Sequence, residues 1–219
     1  MKILGGQWKG RNFYMPAEIR PTQNVVRKAL FDLIGHDLTG LTFVDLFAGS
    51  GAMGLEALSL GALKVLFIEK NPQCIKVIEE NILLLNENRA IKYPPPLTPP
   101  TPFGRGGEKF QKAPPLVGGV GEGECQVLEA DAFAMVKELA SHGQKFDIVF
   151  VDPPYERGMA KKMLKTLGAY DIVAANSVVV IQHDRREILP EPNGSLILFK
   201  QRQYGNSYLS LYKVLPHKS

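Results

Sequence analysis

The stretch that decides the fold reads Val44-Asp45-Leu46-Phe47-Ala48-Gly49-Ser50-Gly51. A compact apolar run at 41–46 leads into it and a helical pattern at 53–59 follows, so the glycines lie between a strand and a helix. Glycine lets the backbone turn tightly and approach a ligand where a Cβ would clash. Open α/β sheets bind ligands at such carboxyl ends of strands. The sequence therefore predicts a ligand site directly after the first strand.

Strand and helix patterns alternate along the rest of the chain. In chain order they are a helix at 24–35, the first strand, strands at 64–68, 126–129, 146–151 and 177–182 separated by helices at 71–85, 132–141 and 159–167, and hairpin strands at 196–204 and 208–214. Alternation of this kind implies helices on both faces of a mostly parallel sheet. We therefore expect an α/β, Rossmann-like fold with an antiparallel closing hairpin and a small N-terminal arm.

The composition limits the class of protein. The chain has 219 residues, of which 45% are hydrophobic and 22% charged, so wholesale disorder is excluded and one domain with a small appendage is expected. Two cysteines are too few for a disulfide scaffold or a four-thiolate metal site. The apolar runs are too short for a membrane span, and no signal-peptide core follows the N-terminus. We expect a cytoplasmic monomer without a metal or a membrane partner.

Positive charge is concentrated near the N-terminus. The whole chain has a net charge of +4, from 26 basic and 22 acidic residues. Residues 1–36 alone carry six basic and two acidic residues, which is the same excess. Such a segment is either a solvated face or an arm that contacts phosphates, and Trp8, Phe13 and Tyr14 are candidates for stacking on bases. We treat 1–36 as a basic arm and helix, and 37–219 as the Rossmann-like domain.

The segment 92–124 interrupts the alternation. Its 33 residues include eight prolines and seven glycines, and they show neither helical nor strand periodicity. This composition favours an unstructured surface insertion, although Pro94-Pro95-Pro96 leaves a polyproline ligand for a partner open. A longer flexible loop costs only about 0.6 kcal/mol for each doubling of its length. We expect a tolerated insertion outside the active site.

Two acidic residues indicate the class of cofactor. Glu69 ends the second strand, 24 residues after Asp45, where a carboxylate can accept hydrogen bonds from the ribose hydroxyls of an adenosine. The spacing Gly49-x-Gly51-x-x-Gly54 also matches a dinucleotide fold. However, Asp45 directly before the glycines would repel a pyrophosphate, whereas it suits the cationic amino group of a methionine-type ligand. This favours S-adenosylmethionine over NAD.

The fourth strand runs into the candidate catalytic group, Asp152-Pro153-Pro154-Tyr155. The two prolines donate no hydrogen bonds, so their carbonyls are left to point into the cleft. Asp152 and a proline carbonyl form an acceptor pair for an NH2 group, and Tyr155 offers a face for a flat base. Accepting the hydrogens of a conjugated amine localises its lone pair on nitrogen. Catalysis is then chiefly positioning and electrostatics.

With these motifs the chain resembles the RsmD family of bacterial 16S rRNA (guanine-N2)-methyltransferases. The Asp-Pro-Pro-Tyr motif is common to several classes of amino-methyltransferase. The further matches are Ile3-Leu4-Gly5-Gly6-Gln7-Trp8-Lys9-Gly10-Arg11, Ile19-Arg20-Pro21-Thr22, Val26-Arg27, Ala29-Leu30-Phe31, Asp45-Leu46-Phe47-Ala48-Gly49-Ser50-Gly51 with Gly54-Leu55-Glu56-Ala57, Glu69, Asn81, Asp131-Ala132 and Tyr204-Gly205. The Arg-Pro-Thr entry and the glycine-rich arm are the more specific ones. The resemblance covers nearly the whole chain except 92–124.

The resemblance implies S-adenosyl-L-methionine as cofactor and methylation of the exocyclic N2 amine of a guanine in 16S rRNA. Carried over by position, the cofactor-binding residues are Asp45, Phe47, Gly49, Gly51, Glu69, Lys70, Asp131 and Ala132. Lys9, Arg11, Arg20 and Arg27 are then natural contacts to RNA phosphates. The implied partner is 16S rRNA or the small ribosomal subunit.

Other functions stay open at this point. The Asp-Pro-Pro-Tyr motif also serves DNA adenine-N6 and protein glutamine methyltransferases. DNA enzymes of this type usually carry a target-recognition domain, for which this chain has no room, and a protein methylase would not need a basic arm. A non-catalytic RNA-binding module is the third alternative, if the insertion blocks the cofactor cleft.

Overall fold

The computed structural model describes residues 1–15, 24–86, 123–154, 158–190 and 196–214. In chain order its elements are a 3-10 helix Gly6–Trp8, α1 Asn24–Ile34, β1 Thr42–Asp45, α2 Ala52–Ser59, β2 Lys64–Glu69, α3 Pro72–Asn86, β3 Glu124–Glu129, α4 Ala132–Ser141, β4 Phe146–Val151, α5 Met159–Ala169, β5 Val173–Asp184, β6 Leu196–Tyr204 and β7 Ser207–Val214. The predicted α/β class is confirmed. None of the described helices combines the length and the apolar character that a membrane span requires.

The described strands form one sheet in the order β3-β2-β1-β4-β5-β7-β6. Strands β1 to β5 are parallel, whereas β7 is antiparallel to both β5 and β6. The chain moves outward in one direction from β1 to β3 and then returns to the other side of β1 with β4. Ligands of open α/β sheets bind at such a reversal, outside the carboxyl ends of the strands. Because β6 runs in the same direction as β5, the β6–β7 turn opens at this same edge.

Two layers of helices bury the two faces of the sheet. Successive strand residues point to opposite faces, so Phe43 and Val44 of β1 belong to different core clusters. Leu30 of α1 packs in the Phe43 cluster, together with residues of α2 and α3. Val136 of α4 and Leu164 of α5 pack in the Val44 cluster. The sheet edge that carries the strand ends is thereby held between two rigid layers.

The N-terminal arm is part of the same core. Lys2 and Asn12 form an antiparallel bridge that closes the arm around the 3-10 helix. Trp8 and Phe13 are 9% and 4% exposed and pack with the α1 and α2 cluster. They are therefore not available for stacking on bases, contrary to our expectation, whereas Tyr14 is 56% exposed.

Two strands begin earlier than predicted. β3 starts at Glu124, within the segment that we assigned to the insertion, and the residues 87–122 lie outside the described part of the chain. β5 starts at Val173, four residues before the predicted strand, because pairing with β4 continues across an irregularity near Asn176. Asn176 has a left-handed φ of 62°, and the polar residues at this irregularity hide the strand pattern in the sequence.

Candidate active site

The glycine loop between β1 and α2 has the geometry that its sequence predicts. Gly51 is the N-cap of α2 and adopts a left-handed φ of 77°. A residue with a Cβ adopts this conformation only under strain. Its N–H donates to the carbonyl of Ala48 at 2.7 Å, which closes the turn. A Cβ on Gly54 would lie 2.2 Å from the ring of Phe67, so α2 packs directly against β2. The loop is thus fixed by the strand and the helix on either side of it.

A cavity of about 840 Å³ opens at the carboxyl edge of the sheet. On the side of β1 to β3 it is lined by Asp45, Phe47, Gly49, Glu69, Lys70, Asp131 and Ala132, which were all predicted to bind the cofactor. Gly51 is buried and shapes the loop without lining the cavity. Asp152, Pro153 and Pro154 line the side that follows β4. The predicted cofactor residues and the predicted catalytic residues therefore line one cavity. Tyr155 lies outside the described residues.

Asp45 is the most unusual group of the cavity. Its side chain is 1% exposed, and burial, together with the charges of Asp152 and Glu69, raises its pKa to about 8, against the opposing backbone N–H groups of Phe47 and Gly54. Within the described residues, Oδ1 of Asp45 has no hydrogen-bond partner. A buried acceptor of this kind is costly unless a ligand satisfies it. The site fits the cationic group of S-adenosylmethionine, because a positive charge next to Asp45 favours the ionised form of this carboxyl.

Glu69 joins the end of β2 to the glycine loop. Its Oε2 accepts a hydrogen bond of 2.8 Å from the N–H of Gly49. Its Oε1 accepts from the N–H groups of Lys70 and Asn71 at 2.8 and 2.9 Å. Each carboxylate oxygen has two lone pairs, so Oε2 can still accept a hydrogen bond from one further donor, such as a ribose hydroxyl. The backbone thus holds the predicted ribose acceptor in place at the cavity wall.

The start of α4 forms the wall beyond Glu69. Asp131 is the N-cap of this helix, and its Oδ1 accepts from the N–H of Ala134 at 3.0 Å. Ala132 is the first helical residue and is buried beside it. Asp131 and Ala132 line the cavity on the side where the adenine of the cofactor is predicted to lie. In the described part of the chain, no three His, Cys, Asp or Glu side chains group in a way that would hold a metal ion.

The catalytic motif reaches the cavity because β4 pairs directly with β1. The N–H of Leu46 donates to the carbonyl of Phe150 at 3.0 Å, which aligns the ends of these two strands. Asp152 follows as a half-buried residue, Pro153 is buried and Pro154 is exposed. Asp152 is close enough to Asp45 for its charge to raise the pKa of that carboxyl. The predicted acceptor for an amine therefore lies next to the predicted cofactor half.

One wall of the cavity was not predicted from the sequence. This wall consists of residues from β5 and from the turns that follow β5 and β6: Gln182, Asp184, Arg186, Tyr204, Gly205, Asn206 and Ser207. Val26 of α1 also lines the cavity. The β6–β7 turn lies at this edge because β7 pairs between β5 and β6, so that β6 runs parallel to β5. The antiparallel order of β7 and β6 could not be read from the strand patterns alone.

The four candidate RNA contacts differ in their surroundings. Lys9 is exposed. Arg11 is half-buried and donates through Nη1 to the carbonyl of Leu85 at 3.2 Å. Arg27 is fully buried and paired with Glu56, so the prediction that it contacts phosphates is wrong. Arg20 lies outside the described residues.

Comparison with known proteins identifies the family and agrees with the fold. Residues 1–93 and 117–213 match the family described as Conserved hypothetical protein 95, and the gap between the two matched parts lies within the predicted insertion. Ribosomal RNA small subunit methyltransferase D of Escherichia coli K12 is 26% identical over 97% of this chain and 89% of its own length. The protein of the same name from Haemophilus influenzae is 23% identical over 97% of this chain and 93% of its own. The structure of a hypothetical protein of Thermus thermophilus has a TM-score of 0.71 and 28% identity, and the match covers 98% of this chain and 99% of that one.

Proposed function

This chain belongs to the Conserved hypothetical protein 95 family, which is the RsmD family of rRNA methyltransferases, and we propose that it methylates the exocyclic N2 amine of a guanine in 16S rRNA. As a member of this family it is an S-adenosylmethionine-dependent methyltransferase. One observation carries the proposal: the carboxylate of Asp152 lies at the end of β4, in the same cavity as the cofactor half around Asp45 and Glu69. An amine acceptor beside a cation-binding pocket suits transfer of a methyl group to nitrogen.

The residues of the cofactor half have separate roles in this proposal. When bound, S-adenosyl-L-methionine supplies a methyl group that is activated by a positively charged sulfur. Asp45 would hold the cationic amino group, because its buried Oδ1 lacks a partner in the described chain. Glu69 would accept a hydrogen bond from a ribose hydroxyl through Oε2. The side of the cavity at Asp131 and Ala132 would hold the adenine.

Asp152 and the carbonyl of Pro153 would act on the target amine. An amine conjugated to a purine is a poor nucleophile, because its lone pair is delocalised into the ring. Two acceptors that take its two N–H groups hold the nitrogen in one orientation and draw the lone pair out of the ring. After transfer, the extra proton of the nitrogen can pass to an Asp152 oxygen. Tyr155 would stack on the base.

The proposed substrate is a guanine that has left its stack. A base stacked within a helix does not enter a cavity, so the nucleotide must swing out, as for other enzymes that modify bases. The exposed Lys9 and the half-buried Arg11 would contact phosphates beside it. The names of the relatives support small-subunit rRNA, free or assembled, as the partner. Such a substrate implies a cytoplasmic enzyme, which we propose to act as a monomer.

The direct test is nucleoside mass spectrometry of 16S rRNA from cells with and without this gene. We expect one N2-methylguanosine to be absent from the deletion strain and to return when the purified protein is incubated with S-adenosylmethionine and either naked rRNA or small subunits. Methyl transfer to adenine N6 of DNA or to a glutamine side chain, without transfer to rRNA, would overturn the proposal. Cofactor binding without any methyl transfer would instead favour an RNA-binding module.

Replacing Asp152 tests the assigned chemistry. We expect Asp152→Ala to abolish or strongly reduce methyl transfer and to leave the cofactor Kd within a few fold, since this carboxylate faces the target amine. Asp171→Ala is a matched control, because Asp171 is an exposed aspartate that pairs with Lys145 and does not line the cavity. A parallel loss of cofactor binding and of rate in Asp152→Ala would show that the assigned role is wrong.

A further inference from the structure

The turn that follows β5 forms part of the cavity rim on the side of Asp152. Asp184 ends β5, and both Asp184 and Arg186 line the cavity. In the sheet, β5 lies beyond β4 and therefore two strands away from β1, about 10 Å at the usual strand spacing. The predicted cofactor residues lie at the carboxyl ends of β1 and β2 and in the segments that follow β1, β2 and β3. The turn thus borders the half of the cavity to which the target base is assigned.

Arg186 is held in one orientation by Asp184. Its Nε donates to Oδ1 at 2.9 Å and its Nη2 donates to Oδ2 at 3.0 Å, so the guanidinium and the carboxylate are coplanar partners. The N–H of Arg186 also donates to Oδ1 at 2.8 Å. These hydrogen bonds from Arg186 lower the pKa of Asp184 to about 2, so the pair stays ionised at neutral pH.

The turn itself is fixed at three points. The N–H of Glu187 donates to the carbonyl of Asp184 at 2.9 Å, which closes the turn. The N–H of Arg185 donates to the carbonyl of Asn206 at 2.9 Å and so joins it to the β6–β7 turn. The Glu187 Oε1 accepts from the N–H of Lys161 at 2.9 Å, at the start of α5. A short exposed turn is thereby tied to both neighbouring walls of the cavity.

This arrangement does more than stabilise the fold. The side chain of Arg186 is 83% exposed, and exposed ion pairs contribute little to stability. Asp184 uses only one edge of the guanidinium. Nη1 makes no hydrogen bond to any residue in the described ranges, so two N–H groups point away from the pair. A guanidinium with one edge fixed and the other open matches a phosphate, which it can bind through two hydrogen bonds.

We propose that Arg186, oriented by Asp184, binds the RNA phosphate next to the target guanosine and so positions the base at Asp152. The proposal rests on the proposed function, because it takes RNA as the substrate. A phosphate contact carries no sequence information but fixes the register of the nucleic acid on the protein. The site differs from the N-terminal arm, which lies on the face covered by α1 and α2. Arg186 is then a substrate-binding residue, and Asp184 is a positioning residue.

The first test uses the full-length enzyme with small-subunit rRNA. We expect Arg186→Ala to raise the KM for RNA about tenfold, as for loss of a charge-assisted contact, and to change kcat at saturating RNA and the cofactor Kd by less than twofold. The slope of log affinity against log salt should become shallower by about one contact. Arg202→Ala is the matched control: Arg202 is an exposed arginine of β6, bonded to the carbonyl of Gln201 at 3.1 Å, and it does not line the cavity.

Asp184→Asn separates positioning from simple attraction. Removing a negative charge near bound RNA should strengthen binding if only net charge matters. If Asp184 orients Arg186, the same change should instead raise the KM for RNA, without the shallower salt slope expected of Arg186→Ala. Tighter RNA binding by Asp184→Asn would overturn the positioning role. Unchanged melting temperatures would show that both variants fold.

The outcomes distinguish this proposal from the function on which it rests. If the wild-type enzyme transfers no methyl group to rRNA, the proposed function fails. If the wild-type enzyme is active, and Arg186→Ala has the same KM for RNA and the same salt slope as Arg202→Ala, only the role assigned to Arg186 is overturned and the proposed function stands. A tenfold weaker cofactor Kd in Arg186→Ala with an unchanged KM for RNA would place the guanidinium on the cofactor and also overturn it.

Discussion

Arg27 of α1 and Glu56 of α2 form a buried salt bridge, with 3.3 Å between Nε and Oε2 and side chains that are 0% and 2% exposed. Glu56 also accepts hydrogen bonds from the N–H of Leu4, at 2.9 Å to Oε1 and 3.0 Å to Oε2, and from the N–H of Gly5, at 2.6 Å to Oε1. Arg27 donates to the carbonyl of Lys2. One carboxylate therefore joins the N-terminal arm, α1 and the helix that follows the glycine loop.

We expect Glu56→Ala to lower the free energy of unfolding by about 3–5 kcal/mol, because it leaves the buried Arg27 guanidinium without its partner. Urea denaturation followed by circular dichroism measures the change. Glu80→Ala is the control, since Glu80 pairs with Lys76 at 3.9 Å on the surface of α3 and should cost less than about 0.5 kcal/mol. A cost for Glu56→Ala near that of the control would contradict the assigned role.

Cofactor binding should depend on the protonation of Asp45. Its pKa of about 8 in the free protein means that the carboxyl is mostly neutral at pH 7, while a cationic ligand requires the carboxylate. Binding should release a proton, and affinity should rise by up to about tenfold per pH unit from pH 6 and level off above pH 8. Calorimetry in two buffers with different ionisation enthalpies detects the proton. Asp45→Asn should abolish this release.

The same carboxyl affects the stability of the free protein. Its pKa is raised from 3.8 in the unfolded chain to about 8, so the folded state binds more protons between these values. The contribution of Asp45 to stability is therefore complete below about pH 4 and is lost as the pH rises through 8. We expect Asp45→Asn to be more stable than the parent protein at pH 8 and to show a flatter dependence on pH. A parent and variant with parallel pH profiles would be inconsistent with the raised pKa.

Glu69→Ala should weaken cofactor binding by about 1–3 kcal/mol, because it removes the ribose acceptor and leaves the Gly49 N–H without its bond. Calorimetry with S-adenosylmethionine measures the loss. Glu129→Ala is a close control: Glu129 pairs in register with Glu69 on the neighbouring strand, is exposed and does not line the cavity. Equal affinities of the two variants would argue against a ribose contact.

The exposed Lys9 tests the basic arm. We expect Lys9→Ala to weaken RNA binding and to flatten its salt dependence by about one charge. Lys76→Ala serves as control, because Lys76 is 77% exposed on α3, outside the arm. An unchanged slope for Lys9→Ala would mean that the arm serves only for packing. Arg27 offers no such test, since its replacement would disturb the core.

The sequence predicted most strands and the edge of the sheet at which the predicted cofactor residues meet, because these depend on local patterns and on the direction of parallel strands. The predictions from the sequence failed where the burial of a side chain depends on residues that are distant in the sequence. Arg27 was assigned to RNA, yet its partner Glu56 lies 29 positions further along the chain and buries it. Trp8 has the composition of a stacking residue, but it packs into the core under α1 and α2. The wall containing Asn206 required the order of β7 and β6, which only tertiary structure supplies.

The topology gives a reason why the predicted insertion should tolerate replacement. α3 runs away from the cavity from Pro72 to Asn86, about 22 Å, and β3 runs back toward it from Glu124. The segment between them therefore leaves and rejoins the described chain at the edge opposite the cavity. We expect a Gly-Ser linker in place of 93–120 to keep the cofactor Kd within twofold and the Tm within a few degrees. Gly123 must be kept, since a Cβ there would lie 2.2 Å from the carbonyl oxygen of Ala62.

Loss of methyl transfer by this variant, with cofactor binding and the Tm intact, would show that the insertion takes part in recognition of the substrate. The polyproline stretch at 94–96 would then be the first segment to restore. Loss of cofactor binding would contradict the inferred separation of the insertion from the cavity, because the linker joins the chain about 20 Å from the cavity end of β3.

The acidic surroundings of Asp45 have a consequence for turnover. Transfer of the methyl group converts a positively charged sulfonium into a neutral thioether, while Asp45, Asp152 and Glu69 stay where they are. The electric field of these carboxylates therefore favours binding of the positively charged cofactor over binding of the neutral product. We expect the enzyme to release the demethylated product readily and to be only weakly inhibited by it. The negative charge that attracts the cofactor would then also favour replacement of the product by a new cofactor molecule after each turnover.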